Sequence, residues 1–213
     1  MIKRLLLAVT LGLMIPQISV AENGLYIEGT HYNQLPQAVR TRDASKIEVV
    51  ELFWYGCSHC YSFEPVLKQW KSGLPADVDF WQSPAIWAPI MATHAKAYFV
   101  ASNLGVLDRL SPALFAALNI EGKKLANEDQ LAALFVKHGV DRETFLKEFN
   151  SFGVSRQVKQ ADSRARSYRL QGTPELVVNG KYRVSSRGLK SQAEMLDVVD
   201  FLVEKERQLI ASQ

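Results

Sequence analysis

Cys57 and Cys60 are the only two cysteines among 213 residues, and they stand three apart in the run WYGCSHCYSF, residues 54–63. A dithiol at that spacing can close to a disulfide and reopen by thiolate attack, so its first candidate chemistry is thiol–disulfide exchange. As a staple the pair would contribute little: a four-residue loop is worth about 2 kcal/mol, against about 4.7 for a loop of 100. Structural zinc needs four ligands, and His31, His94 and His138 are scattered and unpaired. Haem attachment needs C-x-x-C-H, but Tyr61 follows Cys60 and the histidine lies inside the loop. A cysteine-protease reading leaves Cys60 without a task.

Placed at the first turn of a helix, the pair gains an asymmetry. Free backbone N–H groups and the helix dipole favour negative charge there. Cys57 is expected to be exposed and acidified; Cys60, one turn in, is expected to be buried and ready to attack a mixed disulfide on Cys57. A protonated His59 beside Cys57 would stabilise the thiolate further. Glu51 shares a strand face with Ile47, Val49, Phe53 and Tyr55. Two readings stand for it: a water-poor carboxyl that exchanges a proton with Cys60, or a structural ion pair with a basic side chain on a neighbouring strand. Thr173-Pro174 opens another strand. A cis bond there would leave the Thr173 backbone free to pair with an extended substrate chain, but sequence alone does not establish one.

The elements that must position these residues can be read from pattern. Residues 24–30 read as a short strand. Residues 47–55 (IEVVELFWY) form the strongest strand, central and covered on both faces. Gly56 breaks it, and a helix follows from Ser58 to about Trp70, with Pro65 expected to kink it. A short strand spans 78–82. Residues 88–151 are almost wholly helical in pattern, with a helix ending at Gly105, a capping-box signal at Asn127 to Gln130, and another start at Asp141. A longer polar helix spans 153–170. Asn179-Gly180 joins strands 175–178 and 181–184 in a hairpin, and a capping box at Ser191 to Glu194 opens the last helix. Without the helical block the order is that of a sheet with helices on both faces. With CxxC at a strand-to-helix junction, it is an α/β thioredoxin fold carrying an inserted helical domain. The expected division is 22–87 with 152–213 for the thioredoxin part and 88–151 for the insertion.

The first residues bear on compartment. Lys3 and Arg4 precede an apolar run from Leu5 to Pro16, and Ser19-Val20-Ala21 supplies small residues at signal-peptidase spacing. Residues 1–21 therefore read as a secretory signal cleaved after Ala21. The run is shorter than a membrane span. Without Lys3 and Arg4 the 25 basic residues become 23 against 22 acidic ones, a formal net charge of +1. That balance offers nothing to nucleic acid or a charged membrane surface. The 47% hydrophobic content suffices for an ordinary core.

The runs VVELFWYGCSHCYSFEP and NSFGVSRQVKQADSRARSYRLQGTPELVVNGKYRV, with the helical stretch between them, resemble the DsbA family of periplasmic thiol:disulfide oxidoreductases. The likeness covers nearly all of the chain after the signal. It implies donation of the Cys57–Cys60 disulfide to reduced or unfolded exported proteins, reoxidation by a DsbB-type membrane quinone reductase, a monomer, and no cofactor or metal. By position, Cys57 matches the family's nucleophile, Cys60 its buried partner and His59 its thiolate-stabilising histidine. Glu51 matches its buried acid, and Pro174 the cis-proline facing the cysteines, with Thr173 before it. DsbA is itself the standing example of an acid thiol and a strongly oxidising disulfide, so the direction of electron flow comes with the resemblance. Ser58 replaces the usual proline of C-P-H-C, which restores an N–H donor and loosens the first turn. Thr173 replaces a common valine, adding a hydroxyl where a mixed disulfide is held. Two other readings stand beside this one. A reductase or isomerase would hold its disulfide far more tightly against glutathione, and a soft-metal carrier would be purified with metal bound.

Overall fold

The computed structural model describes residues 25–212. The signal segment at 1–21, and Gly24 at the head of the first expected strand, lie outside them. Five strands form one sheet in the order β1-β5-β4-β2-β3. β2 (Ile47–Phe53) lies at its heart, parallel to β3 (Val78–Pro84) and antiparallel to β4 (Glu175–Val178). β5 (Tyr182–Ser185) pairs antiparallel with β4, and β1 (Asn33–Gln34) closes the far edge on β5.

The first strand is a correction. Residues 25–30 do not join the sheet as a strand; the edge is the two-residue β1, with an isolated bridge between Glu28 and Tyr32. The chain turns at Gly29, whose φ of 80° suits glycine, and His31 N–H returns to the Ile27 carbonyl. The hairpin also slides by one residue. Val178 pairs with Tyr182 across a three-residue loop, because Asn179 N–H is engaged by the Glu48 carbonyl instead of its hairpin partner. Gly180 is required there, since a Cβ would stand 1.9 Å from the Val39 carbonyl oxygen.

Every residue of β2 is buried, as a central strand with two covered faces requires. On one face Ile47 and Val49 pack with Phe63 and Leu67 of α1 (Ser58–Ser72) and with Met195, Val198 and Leu202 of α7 (Gln192–Ala211). On the other, Val50 and Leu52 meet Tyr168, the C-cap of α6 (Phe152–Ser167). α1 runs from Ser58 to Ser72 with Pro65 inside it. Packing of Phe63 and Leu67 compensates for the bond that proline cannot make to the Tyr61 carbonyl.

Between β3 and α6 come α2 (Pro89–Asn103), α3 (Leu107–Asn119), α4 (Glu128–Lys137) and α5 (Arg142–Phe149). The starts of α4, α5 and α6 are capped by side chains. Asn127, Asp141 and Ser151 each accept an N–H three residues on, at 3.0, 2.8 and 3.0 Å, and Ser191 does the same for α7 at 3.2 Å. The core of this helical block is continuous with the end of β2: Phe53, Tyr55 and Cys60 share one cluster with Leu114, Phe115 and Phe135. The CxxC segment thus sits where sheet and helical block meet.

Candidate active site

The β2–α1 junction presents the cysteines. Cys57 N–H bonds the Trp54 carbonyl at 2.9 Å, closing a turn, and Cys57 then becomes the N-cap of α1. Its Sγ accepts the Cys60 backbone N–H at 3.4 Å, the place a capping oxygen ordinarily takes. Both sulfurs are unbridged; Cys57 is half-buried and Cys60 fully buried.

The two thiols are driven apart. The Cys60 thiol hydrogen-bonds Cys57 and is the largest influence lowering its pKa, from 9.0 to about 5. Burial opposes this, while the Thr173 side chain and the backbone N–H groups of Cys60 and His59 assist. Cys60 is pushed well above the ordinary thiol range, first by burial, then by its bond to Cys57 and by the charge of Glu51. At neutral pH one sulfur is a thiolate and the other a thiol.

Thr173-Pro174 is cis and faces this pair. As a thiol, Cys57 donates to the Thr173 carbonyl at 3.3 Å. Pro174 is buried and Thr173 half-buried. His59 is exposed, and among the described residues no hydrogen bond joins its imidazole to Cys57. What His59 brings to the sulfur here is its backbone N–H. Its carbonyl accepts Gln192 Nε2 at 2.7 Å, tying α7 to the start of α1.

Glu51 is fully buried and has no salt bridge among the described residues, so the ion-pair reading finds no partner. Its Oε2 accepts Gln82 Nε2 at 2.7 Å, and its Oε1 has no protein partner. Burial raises its pKa from 4.5 to about 8, with Glu64 adding to the rise. Gln82 Nε2 also reaches Glu64 Oε1 at 3.0 Å, so one amide joins two carboxyls. Glu64 borders a surface cleft of about 530 Å³ together with Lys68, Lys71 and Gln82.

A family model for the DSBA-like thioredoxin domain matches residues 77–199. The chain is 41% identical over 182 residues to the thiol:disulfide interchange protein DsbA of Pseudomonas aeruginosa, spanning 85% of this chain and 86% of that one. It is 40% identical over 179 residues to its counterpart in Azotobacter vinelandii, 84% of each. The chain belongs to the DsbA family. The crystal structure of Pseudomonas aeruginosa DsbA superposes with a TM-score of 0.84 at 40% identity, covering 87% of this chain and 97% of that one. The oxidoreductase DsbA from Xylella fastidiosa gives 0.81 at 34% identity, covering 87% and 100%.

Several residues around this DsbA-type centre were not singled out from sequence. Glu64 lies four positions after Cys60, on the same side of α1, which is a readable signal. Gln82 meets Glu51 only through the parallel register of β2 and β3, where the two are Cα partners. Asn119 and Ser111 reach the turn from the helical block, and His94 holds Trp54. No spacing in the sequence announces those three.

Proposed function

We propose that this chain is a periplasmic dithiol oxidase that donates its Cys57–Cys60 disulfide to newly exported proteins. The observation that carries the reading is the split between two thiols of one helical turn: Cys57 ionises near 5, and Cys60 is buried and held protonated. A client thiolate attacks Cys57 Sγ of the disulfide and Cys60 leaves. A second client thiolate then attacks its own partner sulfur in the mixed disulfide, and Cys57 departs as a stabilised thiolate. The client gains one disulfide, and the protein gains two electrons and one proton on Cys60. An acid leaving thiol speeds the release and favours reduced protein at equilibrium. Thr173 and Pro174 form the edge against which an extended client docks, with the Thr173 carbonyl, which has no S–H to accept once Cys57 is in the disulfide, taking a client N–H. Reoxidation falls to a DsbB-type membrane quinone reductase, and the protein works as a monomer.

Glu51 supplies the proton that Cys60 needs on leaving. With a pKa of about 8 it is mostly protonated at pH 7, and Gln82 and Glu64 lead from it towards the surface cleft. This arrangement weakens the fold. A carboxyl whose folded pKa is raised costs stability as pH climbs from 4.5 towards 8, because the unfolded chain releases the proton first. Glu51→Gln keeps an acceptor for Gln82 and removes that cost. It should stabilise the reduced protein by about 3 kcal/mol at pH 7 and by little at pH 4.5, read from urea unfolding at both. It should also slow disulfide exchange at pH 7. A gain independent of pH would refute the assigned ionisation.

The direction of electron flow is tested by equilibration with glutathione, read by mass spectrometry. In a buffer poised at about −200 mV an oxidant stands mostly as dithiol, and a reductant mostly as disulfide. A protein found mostly as disulfide there would overturn the oxidase reading.

A further inference from the structure

Three side chains of the helical block hold the turn that delivers Cys57. Asn119 Nδ2 donates to the Tyr55 carbonyl at 2.8 Å, and Tyr55 Oη donates to Ser111 Oγ at 3.2 Å. Trp54 Nε1 donates to His94 Nδ1 at 3.0 Å, with the two ring planes within 17° of parallel. His94 is 2% exposed. Since its Nδ1 accepts, its Nε2 carries the proton and donates to the Lys124 carbonyl at 3.1 Å. Both ring nitrogens are therefore committed, and the imidazole cannot rotate without losing both bonds.

The clamped indole lies directly on the backbone before the nucleophile. A Cβ added at Gly56 would stand 2.4 Å from Trp54 Cζ2 and 2.7 Å from Cε2 and Cη2. Gly56 is thus bare so that the ring can lie flat against it. Trp54 remains only half-buried, three residues before Cys57.

We propose that His94 is a positioning residue for exchange with polypeptides: it locks the Trp54 indole on Gly56, making a fixed aromatic wall beside Cys57 for the client segment that carries the attacking cysteine. The inference rests on the oxidase reading above. A wall already in place spares the complex the cost of ordering it, and exposed aromatic rings of restricted freedom are the usual anchors of peptide contact. Glutathione attacks the same sulfur but has no apolar side chain to lay on the ring. The arrangement therefore discriminates between thiols by what surrounds them.

The test compares two nucleophiles on one disulfide. Oxidised protein is reacted with a reduced two-cysteine peptide bearing an aromatic residue beside one cysteine, and separately with glutathione. His94→Leu should lower the peptide-to-glutathione ratio of rate constants about tenfold, mostly through weaker peptide binding. His94→Gln, whose amide can accept from Trp54 and donate to the Lys124 carbonyl, should restore most of it. Trp54→Phe should reproduce the loss, and His94→Leu in that background should add nothing. Equal losses on both thiols, additive losses in the double variant, or an unaltered ratio would each overturn the proposal. If the unmodified protein fails to oxidise the peptide at all, the oxidase reading falls, and this one with it; if it oxidises the peptide and His94→Leu does so equally well, only the present proposal falls.

Discussion

With Cys60 replaced by alanine, the remaining Cys57 should alkylate about 10²–10³ times faster at pH 7 than the lone Cys60 of a Cys57→Ala variant. Ionisation and access both favour Cys57. The Cys60→Ala change removes the largest influence lowering the Cys57 pKa, but the Thr173 side chain and the backbone N–H of His59 remain, whereas burial still holds the lone Cys60 protonated. The lower basicity of an acid thiolate gives back part of that advantage, since nucleophilicity falls with a Brønsted slope of about 0.4–0.5. Access adds to what is left. Cys57 is half-buried, whereas Cys60 has no exposed surface, so a reagent reaches it only after local opening that costs a few kcal/mol. Both variants should lose oxidase turnover, because neither can form the internal disulfide. Iodoacetamide labelling followed by mass spectrometry reads the ratio. Equal rates would show that Cys60 is not shielded, and the division of labour between the two sulfurs would fall.

The stability of the reduced protein towards guanidinium, measured against that of the oxidised protein, should fall by about 1–2 kcal/mol between pH 7 and pH 5. A thiol whose folded pKa lies below its unfolded value contributes stability in full above the unfolded pKa, here 9.0, and loses it on descent to the folded one, about 5. The loss is about 1.4 kcal/mol per pH step for a fully buried group. Half-exposed, Cys57 is screened by water, so about 1–2 kcal/mol should remain at pH 7. The oxidised form has no thiolate and lacks this contribution. Its disulfide restrains the unfolded chain, but that term does not depend on pH. Glu51 is present in both forms, so its own pH dependence largely cancels from the comparison. Unfolding curves of both forms at pH 7 and pH 5 give the difference directly; a gap that ignores pH would mean the reduced state is not held by ionisation of Cys57.

Much of this centre was legible because local chemistry announces it. CxxC after a β-branched strand and a breaking glycine places one sulfur at a helix start and the other one turn in, whatever the rest of the chain does. The helix caps at Asn127, Asp141 and Ser191 are equally local. Glu51 stood out because a carboxyl among Ile47, Val49, Phe53 and Tyr55 contradicts its surroundings. What escaped was decided at a distance. The first strand failed because residues 25–30 have strand-like composition but no partner strand, while Asn33 and Gln34, polar and without strand character, lie against β5. The hairpin slipped because the Glu48 carbonyl, 131 positions earlier, takes the N–H of Asn179. Gln82, Asn119 and His94 are ordinary residues in sequence and gain meaning only from register and from helix packing against the turn. His59 shows the converse. Its type and position suggested an imidazole effect, and the fold turns that ring to solvent.

The contact between Cys57 and Thr173 joins residues 116 positions apart. β2 likewise finds its second neighbour only in β4. Any chain that emerges amino end first therefore releases its own redox helix early and the strand that completes it late. In that interval the nascent protein is a bare dithiol with an unfinished sheet, chemically closer to one of its clients than to their catalyst, and the last third of the polypeptide serves as the timer that switches it from one to the other.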